Sequence, residues 1–122
     1  MLFKIAGRLS NVVLEVSSVE RMKVHIAAVF ASNFSNHFIV LAMDYLRKNK
    51  LPDTLLDALI KETTLKAIEM KGNNSQTGPA VREDMKIIRK HQELLKNDPT
   101  LQKIYTFVSE SIIRFKKEKE SN

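Results

Sequence analysis

Apolar residues recur along most of this chain at three- and four-residue steps, the period of helices that turn one face toward a core. Leu2, Ile5, Ala6 and Leu9 fit a short amphipathic helix over Leu2 to Ser10. The run Asn11-Val-Val-Leu-Glu-Val16 that follows is strand-like, and nothing else in the chain reads as β, so it has the character of an edge of a sheet lying elsewhere. Ser17 and Glu20 then stand at the spacing of a capping box, which predicts a long helix from about Ser18 to Asn49. From Val24 to Met43 this helix contains no lysine, arginine, aspartate or glutamate. His25, Ser32, Asn33, Ser35, Asn36 and His37 fall in the same window and would be costly in lipid unless paired. The expectation is therefore a central helix surrounded by protein neighbours, with no membrane partner.

Leu51-Pro52-Asp53 breaks that helix, and Asp53 is expected to cap a second one carrying Leu56, Leu59, Ile60, Thr63, Ala67 and Met70, which Gly72 ends. Pro79 suits the first turn of a third helix reaching about Leu95. Its wheel places Ile87, Ile88, His91, Leu94 and Leu95 on one face and Arg82, Lys86, Arg89 and Lys90 opposite. Asp98-Pro99 is a cap followed by proline, and the last helix carries a seam of Leu101, Tyr105, Val108, Ile112 and Phe115. The pattern predicts an all-α, compact multi-helix domain around one long central helix.

Composition narrows the picture. The chain has 122 residues, 43% of them hydrophobic and 28% charged, which suits one folded domain. Without cysteine there is no disulfide, thiolate nucleophile or cysteine-ligated metal, and without a signal-peptide pattern at Met1 the expected location is cytoplasmic. A net charge of +6 invites an anionic partner, yet the basic residues are spread out and gather mainly where helices should end, which the helix dipole favours. The stripe Arg82, Lys86, Arg89 and Lys90 lacks the interleaved aromatics of single-strand binders and any helix-turn-helix spacing, so no nucleic-acid partner is expected.

Chemistry-bearing residues are few. On a helix of 3.6 residues per turn, His25, Asn33, Asn36 and His37 lie within about a third of the circumference. They either line a ligand cleft or satisfy polar groups between packed helices. No histidine pair has the spacing of a helical zinc site, and the loop Gly72-Asn-Asn-Ser-Gln-Thr-Gly-Pro79 lacks both phosphate-cradling glycine patterns. No metal site and no cofactor-binding residue is expected. Asp84 and His91 are one heptad apart without an evident nucleophile, and His91 reads as a satisfied core residue. Arg82 follows the Thr77-Gly78-Pro79 turn, where a planar guanidinium is suited to grip a carboxylate or phosphate.

Two segments carry a family resemblance: His25-Ile-Ala-Ala-Val-Phe-Ala-Ser-Asn33-Phe-Ser-Asn36-His37, and Gln76-Thr-Gly-Pro-Ala-Val-Arg82-Glu-Asp84 followed by His91. From about Asn11 to Phe115 the chain resembles the C-terminal helical domain of Rossmann-like NADP oxidoreductases, which is similar to that of phosphogluconate dehydrogenase. The resemblance implies that residues 1–16 are the remnant or linker of a nucleotide-binding domain and residues 17–122 a helical C-terminal domain. That domain would form one wall of a substrate cleft and the contacts of a homodimer in an NAD(P)-dependent oxidoreductase. NADP or NAD is implied for the complete protein and none for this chain alone. Glu83 stands where many relatives carry glycine.

The residue types then suggest roles: Arg82 as anion clamp, Asn33, Gln76 and Thr77 as substrate-positioning groups, and His37 as the group that transfers a proton. The competing reading gives all five to capping and packing, and makes the chain a non-enzymatic helical interaction module binding acidic partners.

Overall fold

The computed structural model describes residues 17–121 and divides the chain into two units, Met1–Glu62 and Thr63–Asn122. The opening helix and strand expected over residues 2–16 lie outside the described residues. The described residues are all-helical, with no strand among them.

The first unit is dominated by one unbroken helical stretch. It runs as α1 (Ser18–Ala28), a π-helical segment (Val29–Phe34) and α2 (Ser35–Lys48). Ser17 is its N-cap, accepting from the Glu20 amide at 3.1 Å, so the serine half of the expected capping box is present. Its end is closed by Lys50 in the left-handed region (φ 59°), where the Leu51 amide donates to the Leu46 carbonyl at 2.9 Å. The 31-residue stretch Ser18–Lys48 is long and apolar enough to cross a membrane by length and composition, a test that a core helix also passes. No described residue of this unit is buried.

After Pro52 the chain makes a 3-10 turn (Asp53–Leu56) and then α3 (Asp57–Glu69). Asp53 does not cap this element as expected. Its carboxylate accepts instead from Arg47 Nε at 2.9 Å, a pair that ties the turn back to the end of α2. Helix α3 stops near Gly72 as the sequence suggests. Lys71 and Gly72 both take positive φ, and the Gly72 amide donates to the Ala67 carbonyl at 3.0 Å.

The second unit holds α4 (Met85–Leu94) and α5 (Pro99–Glu120). Here the expected third helix starts later than Pro79. Residues Pro79 to Glu83 form a separate turn, because Glu83 adopts φ 51° and interrupts helical geometry. Asp84 becomes the N-cap of α4 by accepting from the Ile87 amide at 3.3 Å. Asp98 caps α5 in the same way, through the Leu101 amide at 3.1 Å, with Pro99 in the first turn.

The core of the second unit is small: Ala80 and Ile88 alone among the described residues are buried, at 4% and 2% exposure. Ile88→Ala should therefore cost roughly 2–5 kcal/mol, the usual range for removing a fully packed aliphatic side chain. Asp84→Ala should cost about 1 kcal/mol as a lost cap. Urea denaturation followed by circular dichroism checks both, and an Ile88 variant as stable as wild type would contradict this placement of the core.

Candidate functional site

The expected site residues fall into two groups, one in each unit. Asn33 lies inside the π-helical segment and His37 one turn later, and both are exposed. Neither side chain hydrogen-bonds any described residue, and the same is true of His25 and Asn36. Ser35 differs, since its hydroxyl donates to the Phe30 carbonyl at 3.3 Å and supports the widened turn.

The π segment changes how these residues line up. In a straight α-helix each four-residue step overshoots a full turn by about 40°, which would spread His25, Asn33 and His37 over about 120°. A π turn reaches one residue further before its hydrogen bond closes, so a four-residue step across it falls short of a full turn. The overshoot is largely cancelled. His25, Asn33 and His37 come to share one line along the helix, while Asn36 moves off it.

In the second unit, Gln76, Thr77 and Arg82 flank or occupy the turn that precedes α4. Gln76 Nε2 donates to the neighbouring Thr77 carbonyl at 3.1 Å, and the Thr77 side chain is exposed. Gly78 supplies the sharp entry to the turn with φ 99°. The turn closes on itself through the Glu83 amide to the Ala80 carbonyl and the Asp84 amide to the Pro79 carbonyl, both at 2.9 Å.

Helix α5 braces this turn from outside. Lys116 Nζ donates to the Val81 carbonyl at 2.9 Å, and Lys117 pairs with Glu83 at 3.5 Å. Arg82 sits between these two anchored residues, exposed and without an ion pair among the described residues. A guanidinium carried on a fixed backbone loses little freedom when it binds, which suits the role of an anion clamp. The sequence treats Lys116 and Lys117 as solvated helix-end charges. Nothing local marks them as braces, because the carbonyl that Lys116 holds is 35 residues away.

His91 is positioned as a structural residue. Its Nδ1 lies 2.8 Å from the Tyr105 hydroxyl, with the rings edge-on at 82° and their centroids 5.6 Å apart. Gln92 Nε2 donates to Thr106 Oγ1 at 2.9 Å, and Gln102 Nε2 donates to the Gln92 carbonyl at 2.7 Å. These three contacts hold α4 against α5. Burial pushes the Tyr105 phenol above its ordinary value, with a hydrogen bond to Ser109 working the other way. Which of the two groups donates in this contact is set by the tautomer of the His91 ring.

Among the described residues no three His, Asp or Glu side chains come together as a metal site. A shallow concavity on α5, lined by Gln102, Lys103, Thr106, Phe107 and Glu110, contains none of the expected site residues.

The chain belongs to the family described as "Domain of unknown function (DUF2520)", whose model matches residues 1–112. No curated protein matches it. Among solved structures it is similar to a putative NADP oxidoreductase from Bacteroides fragilis, with 40% identity and a TM-score of 0.77 over 81% of this chain. The chain spans 38% of the length of that protein, so it is similar to a domain-sized part of it.

The Tyr105 contact has a pH signature. A phenol whose value is raised by folding adds stability that is complete below its unfolded value near 10.0 and is lost as pH rises through the folded value. Tyr105→Phe should cost about 1 kcal/mol at neutral pH by removing the bond to His91. The gap in urea midpoint between wild type and this variant should narrow between about pH 8 and about pH 11. A gap that stays constant would mean that Tyr105 does not carry the alkaline loss.

Proposed function

From membership in this family, and from likeness to part of a putative NADP oxidoreductase, we propose that the chain is the helical substrate-cleft and dimerisation module of an NAD(P)-dependent oxidoreductase. The nucleotide-binding half is assigned to a Rossmann-like domain outside the described residues. NADP is favoured over NAD only by the description of the similar protein. Cytoplasmic location and a small-molecule substrate belong to the same reading.

The observation that carries the site proposal is Arg82, exposed and without an ion pair among the described residues, on a turn whose neighbours are held by Lys116 and Lys117. It would grip a carboxylate or phosphate of the substrate. Gln76 and Thr77 are assigned to positioning beside it. Asn33 would hydrogen-bond a carbonyl or hydroxyl, and His37 would be the group that transfers a proton. Hydride transfer itself is the nicotinamide's chemistry, and the residues named here bind and orient.

The long apolar helix is read as covered by protein, because the polar line of His25, Asn33 and His37, without side-chain partners among the described residues, would be costly in a bilayer. That cover is assigned in part to a second copy of the chain.

Two measurements test this reading. Calorimetric titration of the isolated chain with NADPH and with NADH should show no saturable heat, since the sequence holds no dinucleotide fingerprint; micromolar binding by either would overturn the division of labour. In a polypeptide that joins this chain to its nucleotide-binding half, Arg82→Ala should lower kcat/KM about tenfold to a hundredfold, as expected for losing a charge-assisted bond. Its melting temperature should change little. Equal losses of activity and stability would instead assign Arg82 to packing.

A further inference from the structure

The π segment lines up an aromatic ridge as well as the polar residues. Met22, Ile26, Phe30, Phe34 and Phe38 follow one another at four-residue steps, and all five are exposed, at 61%, 56%, 63%, 47% and 45%. On a straight α-helix a row of four-residue steps is inclined by about 26° to the axis, so two such rows touch only where the helices cross. Placing Val29–Phe34 in π geometry in the middle of the row removes much of that drift. The ridge then runs nearly along the helix, and Phe30 and Phe34 meet edge-on within it, centroids 5.1 Å apart. A ridge parallel to its axis can be buried over its whole length by one other helix.

Resting on the dimerisation reading above, we infer that this ridge is the seam with a second copy of the chain, paired antiparallel about Phe30. Three observations choose that occupant. The five side chains leave on the order of 500 Å² uncovered. Two copies would then remove about 1,000 Å², which reaches the size at which specific interfaces begin. The spacing is its own mirror: antiparallel pairing sets Met22 against Phe38, Ile26 against Phe34 and Phe30 against its equivalent, so a two-fold axis fits the pattern without mismatch. Charge also selects the orientation. Val24 to Met43 carries no charged residue to be buried, and antiparallel pairing opposes the helix dipoles while keeping the two Arg47, Lys48 and Lys50 clusters at opposite ends.

The chain has no cysteine, so engineered disulfides can report the seam. Under mild oxidation Phe30→Cys should cross-link two copies. Met22→Cys and Phe38→Cys should not do so singly, and the double variant carrying both should. Phe107→Cys, on an exposed position of α5, should stay monomeric on a non-reducing gel. Sedimentation supplies an independent reading: wild type should be a dimer, Phe30→Ala should weaken association about 30-fold or more as a central aromatic anchor, and Phe107→Ala should leave it unchanged. A strictly monomeric wild type would overturn the dimerisation reading itself. A wild-type dimer that tolerates Phe30→Ala, or in which Met22→Cys and Phe38→Cys cross-link singly, would overturn the antiparallel seam alone.

Discussion

The constraint on which this protein depends is the apolar surface of its longest helix. Ordering a residue costs on the order of 1–2 kcal/mol of backbone entropy, and burial of apolar surface is the main term that offsets it. The stretch Ser18–Lys48 has the apolar residues to supply that burial, yet no described residue of its unit is buried. A helix of this kind is incomplete by itself. Capping by Ser17 and closure at Lys50 fix where it begins and ends, but terms of about 1 kcal/mol each cannot replace a core. The substrate-cleft and dimer readings both start here, since each names something that would cover the helix.

The second unit solves the same problem on a smaller scale and in another way. Only Ala80 and Ile88 are buried, and the pairing of α4 with α5 relies on polar contacts across it: His91 with Tyr105, Gln92 with Thr106, and Gln102 with the Gln92 carbonyl. Hydrogen bonds are directional, so they fix the register between two helices where the apolar contact area is small. The consequence reaches the turn before α4. Lys116 and Lys117 on α5 hold the backbone on either side of Arg82, and that backbone includes Glu83 in a conformation better suited to glycine. The turn is thus strained and braced, and it presents a guanidinium that has no ion pair among the described residues.

Much of this was legible in the sequence. Periodicity gave the long helix to within a residue or two, and Ser17, Gly72 and Asp98-Pro99 marked ends that the structure keeps, because caps and breakers act on their immediate neighbours. Local rules also erred where a longer contact competed. Asp53 was free to cap its own helix but pairs with Arg47, and Pro79 could begin a helix but starts a closed turn instead. In the family resemblance, glycine at the position of Glu83 has a physical basis in its φ of 51°. Of the residues the two polar motifs pointed to, Asn33, His37 and Arg82 are exposed and have no side-chain partner among the described residues, whereas Asp84 and His91 are held by Ile87 and Tyr105.

Sequence by itself determined the helices, most of their ends, the absence of cysteine chemistry and the placement of polar groups on an otherwise apolar helix, all of which follow from chemistry within a few residues. Tertiary structure alone decided three things: the π segment that brings His25, Asn33 and His37 onto one line, the lysine braces around Arg82, and the His91–Tyr105 bond. The braces and the His91–Tyr105 bond depend on groups 14 to 35 residues apart. The π turn depends on one extra residue taken into a hydrogen-bonded ring, which leaves composition and periodicity almost unchanged while rotating everything beyond it.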